Sequence, residues 1–211
     1  MSQINVMEVL QELKKLYKPP KSFLNHKNPF ELLVATILSA QCTDKVVNRV
    51  TEDLFKKYKK PEDYLKVGSI ELEKDIHSCG TYKNKAKFIR GTCEMLIENY
   101  VGKVPDSMAE LIKLPGVGRK TASIILYVAF GKLEGIAVDT HVIRLSNRLG
   151  LTGAVSQYAI EKDLMKQLPK KHWGEINPLL ISHGRAICDA KKPKCSQCIF
   201  KNQCPSSSVA I

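Results

Sequence analysis

Leu114-Pro115-Gly116-Val117-Gly118-Arg119-Lys120-Thr121-Ala122 sets two glycines, an arginine and a lysine inside one short run. A short helix ends near Leu114 and another opens near Gly118, with a tight turn between them. Glycine tolerates backbone angles that other residues resist, so successive N–H groups can point outward together. At a helix N-terminus those donors and the helix dipole form a site for one phosphate. Gly116, Val117, Gly118 and Arg119 are therefore candidate phosphate contacts of the helix-hairpin-helix kind, which hold a strand without reading its bases. A plain interhelical turn would leave the paired glycines and the basic residues behind them without a reason. Lys120 falls in the first helical turn, where a cation opposes the dipole at a cost of about 0.3–1 kcal/mol. Neighbouring Arg119 and desolvation also favour the neutral amine, a nucleophile able to form a Schiff base. On this motif alone, a nucleophile and a phosphate contact stand equal for Lys120.

Outward from this run, almost every segment reads as helix. Val6, Val9, Leu10, Leu13, Leu16 and Tyr17 recur at helical spacing until Lys18-Pro19-Pro20 stops them. Asn28-Pro29 pairs an N-cap with proline at the first helical position. Leu32 to Ala40 is apolar nearly all round, which predicts a central buried helix. Thr43 or Asp44 caps the next helix, and Ala86 to Tyr100 marks a long amphipathic one. Further helices are expected near 107–113, 119–131, 140–149, 156–168 and 172–187, and no alternating strand pattern is found. The fold class is all-α. The Pro19-Pro20 break lets the first helix join the C-terminal part, and Pro205 to Ile211 reads as a disordered tail.

The chain has 211 residues and a formal charge of +12, from 33 Lys and Arg against 21 Asp and Glu. So basic a balance points to a polyanionic partner. Ile124 to Phe130 is the longest apolar run and is far too short for a bilayer span. The N-terminus shows no charged-then-apolar leader pattern. Seven cysteines, an odd number, exclude a complete intrachain disulfide framework. A soluble, cytoplasmic monomer is expected, nucleoid-associated in a prokaryote, with no membrane partner. Cys42, Cys79 and Cys93 read as small buried hydrophobes.

The other four cysteines, Cys188, Cys195, Cys198 and Cys204, follow a C-x6-C-x2-C-x5-C spacing. Zinc ribbons usually use two C-x2-C knuckles. One such pair with an outlier on each side suits an iron–sulfur cube held by thiolates. Lys191, Lys192, Lys194 and Lys201 lie between the ligands, so the loop faces a polyanion. Asp139, in Ala137-Val138-Asp139-Thr140-His141, stands where an apolar stretch meets a helix. Its bland reading is an N-cap. Its functional reading is a carboxylate that stabilises a developing sugar cation and moves protons. Among the histidines, His26, His77 and His172 read as surface residues, His183 as a structural hydrogen-bonder, and only His141 as a residue near the polyanion.

Taken together, the four-cysteine loop, LPGVGRKTA, VDTHVIRLSNRLGL, LLVATILSAQCTD and HGRAICDAKKPKCSQC resemble the endonuclease III branch of the helix-hairpin-helix DNA glycosylase superfamily. That resemblance implies two α-helical domains with a DNA cleft between them. Residues 21–132 would form a six-helix barrel with the hairpin at about 107–131. Residues 1–20 with 133–211 would carry a [4Fe–4S] cluster on the loop 188–204. The implied partner is damaged double-stranded DNA with an oxidised pyrimidine, such as thymine glycol, flipped out of the stack. Lys120 matches the family's catalytic lysine and Asp139 its aspartate, for base release followed by β-elimination at the abasic site. Gln41 matches the residue that fills the void left by flipping. Thr81 stands where relatives often carry a leucine wedge. His141 would line the cleft, and Lys191 and Lys192 would meet phosphates. An adenine-mismatch or thymine-mismatch glycosylase of the same fold would usually lack the lysine. A non-catalytic DNA-binding module would have no need of Lys120 and Asp139 together.

Overall fold

Asn28 Oδ1 accepts the Glu31 N–H at 2.9 Å, and Pro29 supplies the first helical residue. Local chemistry of this kind recurs along the chain in the computed structural model, which describes residues 4–209. Eleven α-helices follow one another among the described residues. They are α1 (Val6–Leu16), α2 (Pro29–Leu38), α3 (Asp44–Lys57), α4 (Pro61–Lys66), α5 (Ser69–Asp75), α6 (Tyr82–Tyr100), α7 (Met108–Leu111), α8 (Arg119–Phe130), α9 (Thr140–Arg148), α10 (Gln157–Gln167) and α11 (Trp173–Ala186). Single 3₁₀ turns occur at His77–Cys79, Lys170–His172 and Cys195–Gln197. No strand occurs among the described residues, so the all-α expectation holds. None of their helices is long and apolar enough to cross a membrane.

The chain divides into two compact units, Ser22–Lys132 and Met1–Lys21 with Leu133–Ile211. In the first, α2 is the axis: every residue from Phe30 to Leu38 is buried, and α3, α6 and α8 pack around it. A helix without a polar face can only be central. Thr43 caps α3 through a bond to the Val46 N–H. Seven α-helices belong to this unit, one more than the barrel expectation. The sequence reading assigned no helix to 61–75, where α4 and α5 lie on either side of Val67-Gly68. Helices of six or seven residues complete fewer than two turns, too few for a periodic signal.

In the second unit, Val6, Val9, Leu10 and Leu13 of α1 are fully buried, and α1 packs on α10 and α11. Leu16 departs from the expected stripe: it is 52% exposed, because the apolar face has already turned away. Tyr17 leaves the helix, and its hydroxyl meets His183 Nδ1 at 3.1 Å. His172 is only 16% exposed and pairs with Glu175 at 2.6 Å, so it is not a surface histidine as expected. Pro205 to Val209 do not form the disordered tail expected from composition. Pro205 lies against Gly150, Ser206 and Ser207 line the cavity among the cysteines, and Val209 N–H bonds Ser207 Oγ. Hydrogen bonds to the cysteine loop hold these residues where composition alone suggested disorder; Ala210 and Ile211 lie outside the described residues.

Candidate nucleic-acid interface and cysteine centre

The turn between α7 and α8 is built from both ends. Leu114 and Val117 are buried, and the Val117 N–H donates to the Leu114 carbonyl at 3.1 Å. Val117 therefore anchors the turn, and its N–H is not available to a phosphate as the sequence reading expected. Gly116 takes φ +76, and a Cβ on it would stand 3.0–3.2 Å from Phe88 of α6. Thr92 of α6 also donates to the Pro115 carbonyl at 2.9 Å. These α6 residues seat the turn, and neither residue type marks itself in the sequence as a partner of the glycines. Gly118 differs: its φ is −87, and a Cβ there would meet nothing within 4 Å. It is the N-cap of α8 and brings no capping side chain. Gly118 therefore leaves the start of α8 without a side-chain cap of its own. Arg119 and Lys120 follow, each partly exposed, and the Lys120 side chain makes no ion pair or hydrogen bond within the described residues.

Two further turns of the same unit carry Gln41 and Thr81, both exposed. Gln41 (φ 52) lies between α2 and α3, and Thr81 (φ 42) is the N-cap of α6. Left-handed backbone is uncommon outside glycine and gathers at functional sites. Cys42, next to Gln41, packs against the same apolar cluster that buries Cys79. Cys79 and Cys93 are buried as expected, while Cys42 is only half-buried.

In the other unit, Asp139 is the N-cap of α9. Its Oδ1 accepts both the His141 and Val142 N–H groups at 2.9 Å. Both bonds end on one oxygen, so Oδ2 can face a ligand. His141 Nδ1 sits 3.1 Å from Arg144 Nη2. A Cβ on Gly184 would come within 2.7 Å of His141 Nδ1, so α9 and α11 meet at a glycine here.

The cysteine loop hangs from α9. Arg144 Nε donates to the Cys188 carbonyl, and Arg148 donates to the Asp189 and Ala190 carbonyls at 2.7 and 2.9 Å. Arg148 Nη1 also lies 3.4 Å from Cys188 Sγ. The sequence reading gave neither arginine a role, although they lie four residues apart on one helix. Asp189 Oδ1 accepts the Lys191 and Lys192 N–H groups at 2.9 and 3.0 Å, and both lysines are exposed. Those backbone bonds hold the Asp189 carboxyl below its ordinary range.

Cys188, Cys195, Cys198 and Cys204 line one cavity. Burial pushes the Cys198 and Cys204 thiols up, and the facing cysteines push them further. Bonds with Ser208 hold Cys195 down. His183 is buried, with Nε2 3.4 Å from Cys198 Sγ, and desolvation lowers it to about 4. No three Cys, His, Asp or Glu side chains close to single-ion spacing among the described residues. The four cysteines share the lining of one cavity, and a multi-atom group with thiolates at its corners would use all four.

The profile of the HhH-GPD superfamily base excision DNA repair proteins matches residues 34–170. Endonuclease III of Synechocystis is 49% identical over 203 residues, covering 96% of this chain and 93% of that protein. Endonuclease III of Bacillus subtilis is 50% identical, covering 92% and 89%. A solved structure of a trapped endonuclease III–DNA covalent intermediate superposes with a TM-score of 0.91 at 48% identity, covering 95% of this chain and 94% of that one. A thermostable thymine-DNA glycosylase superposes with a TM-score of 0.80 at 26% identity, covering 94% and 92%.

Proposed function

The chain belongs to the HhH-GPD superfamily of base excision DNA repair proteins, and we propose that it is a bifunctional DNA glycosylase and abasic-site lyase acting on oxidised pyrimidines in duplex DNA. The observation that carries this reading is the amine of Lys120, which has no ion pair or hydrogen bond among the described residues, in the first turn of α8 behind an N-cap, Gly118, that brings no side chain. The N-terminus of α8, with its helix dipole, takes a phosphate. Gln41 and Thr81 occupy the space left when the damaged nucleotide leaves the stack. Lys120 Nζ, as the free amine, attacks C1′ of that nucleotide. The bond from C1′ to the base breaks, and its electron pair leaves with the base. Sugar-ring opening then gives a Schiff base between Nζ and C1′. Loss of a proton from C2′ expels the 3′ phosphate, which nicks the strand. Asp139 stabilises the positive charge that builds on the sugar and accepts a proton in turn.

Cys188, Cys195, Cys198 and Cys204 would hold a [4Fe–4S] cluster. When bound, it supplies metal–thiolate bonds that fix a loop with few apolar residues of its own. Lys191 and Lys192, presented by Asp189, then meet phosphates. Iron analysis should return about four irons per chain; stoichiometric zinc without iron would overturn the cluster while leaving the lysine chemistry intact.

Borohydride reduction on abasic duplex tests the central claim. Wild-type protein should become covalently linked to the strand. Lys120→Gln should still bind, because backbone N–H groups supply the grip, yet form no adduct. An adduct at wild-type yield in Lys120→Gln removes Lys120 as the nucleophile.

A further inference from the structure

Lys85 is a buried amine that the glycosylase chemistry does not use. It is only 2% exposed and lies in the first turn of α6, four residues after the N-cap Thr81. Its Nζ donates to the Cys79 carbonyl at 2.5 Å, and its backbone N–H donates to the Thr81 carbonyl at 3.2 Å. One residue thus holds the chain on both sides of Gly80-Thr81. Those two residues take successive positive φ angles, 62 and 42, and both are exposed. Several local costs meet here. An ammonium taken out of water is expensive unless it is paired, and Lys85 forms no ion pair among the described residues. A cation in the first turn of a helix also opposes the dipole. Thr81 bears left-handed backbone and gives α6 no side-chain cap. Strain of this kind persists only where the surroundings over-determine it. An apolar side chain would fill the Lys85 site but would leave the carbonyl of Cys79, a residue 1% exposed, without this donor.

We propose that Lys85 is a positioning residue for lesion recognition: its amine pins the Cys79 carbonyl, which keeps the Gly80-Thr81 bend left-handed and presents the Thr81 side chain to the space that the flipped nucleotide leaves. At 2% exposure the amine does not itself meet a strand, so it acts through Thr81. Burial holds its pKa below the ordinary lysine value, yet the neutral amine still has an N–H for the carbonyl, so the pin survives either charge state. The recognition half of this proposal rests on the functional reading above.

The test measures affinity for two duplexes, one with a tetrahydrofuran abasic analogue, which cannot form a Schiff base, and one undamaged. Lys85→Met keeps an unbranched side chain and removes the donor. It should bind the analogue about tenfold more weakly, the scale of one lost contact, and the undamaged duplex as well as wild type does. On a Thr81→Gly background the same substitution should change affinity for the analogue less than about twofold, because no side chain is left to position. A lysine that serves only the fold would weaken both duplexes alike or neither, and would act as strongly without the Thr81 side chain; any of these results overturns the recognition role. A crystal structure of Lys85→Met should show Thr81 released from its left-handed angle, and unchanged φ angles at Gly80 and Thr81 overturn the pin. If Lys85→Met does not fold, Lys85→Gln, which keeps a polar head but reaches one atom less, is taken through the same measurements and decides. Failure of the wild-type protein to prefer the analogue would instead count against the functional reading and with it the recognition role, while the φ angles would still decide the pin.

Discussion

The turn at Leu114–Gly118 and the turns at Gln41 and Thr81 bend the backbone in the same way but with different residues. In the first, the left-handed angle falls on Gly116 (φ +76); in the others it falls on Gln41 (φ 52) and Thr81 (φ 42). Left-handed backbone costs an L-residue about 1–2 kcal/mol, and glycine escapes that cost. Where the backbone N–H groups are what a ligand meets, glycine suffices and the strain is absent. Where a side chain must project from the bend, the strain stays. Gln41 and Thr81 accordingly keep exposed polar side chains on strained backbone, the pattern expected when function rather than folding selects the residue.

The comparison breaks most visibly at the two glycines. Gly116→Ala places a Cβ on left-handed backbone and 3.0–3.2 Å from Phe88. It should lower stability by about 2 kcal/mol, seen as a fall in thermal midpoint. Gly118→Ala meets no atom within 4 Å at an ordinary φ. It should cost about 1 kcal/mol at most, because alanine is a poorer N-cap than glycine. Its effect should fall on DNA affinity instead, since the new methyl would stand at the proposed phosphate contact. Equal stability losses in the two variants would show that Gly118 also serves the fold.

A smaller effect sharpens the other side. Gln41→Gly and Thr81→Gly relieve strain and should raise stability by about 0.5–1 kcal/mol, after the added freedom of the unfolded chain is subtracted. Affinity for a lesion duplex should fall about tenfold, as for one lost hydrogen-bonding contact. Higher stability with unchanged affinity would mean that these side chains have no part in binding.

Legibility in the sequence follows the same division. Capped helices could be read because side-chain chemistry marks their ends, as at Asn28-Pro29, Thr43 and Asp139. The glycine pair could be read because glycine is itself the signal of unusual backbone. The strain at Gln41 and Thr81 could not, because neither residue type announces a left-handed angle. Nor could the grip of Arg144 and Arg148 on the cysteine loop, which depends on carbonyls some forty residues away. The sequence pointed to Val117 as a donor because of its place between two glycines. Only the geometry shows that its N–H is spent on Leu114. Lys120 and the four cysteines stood out early because residue type and spacing carry their chemistry.

Val101 supplies the control with the least at stake. It is the third non-glycine residue with positive φ among those described, at φ 53 at the end of α6. The next residue, Gly102, closes the helix with an N–H bond to the Leu96 carbonyl at 2.8 Å. Glycine is the usual occupant of such a left-handed helix end, and a β-branched residue there is an outlier. Val101 is 89% exposed, so its side chain gains little by packing. Nothing in the structure explains its presence. Val101→Gly should therefore raise stability by about 0.5–1 kcal/mol, a shift of a few degrees at most in thermal midpoint. Lesion binding and strand nicking should not change, in contrast to Gln41→Gly and Thr81→Gly. Loss of DNA affinity in Val101→Gly would place this bend with the Gln41 and Thr81 turns, as a third site where strain is retained for a side chain.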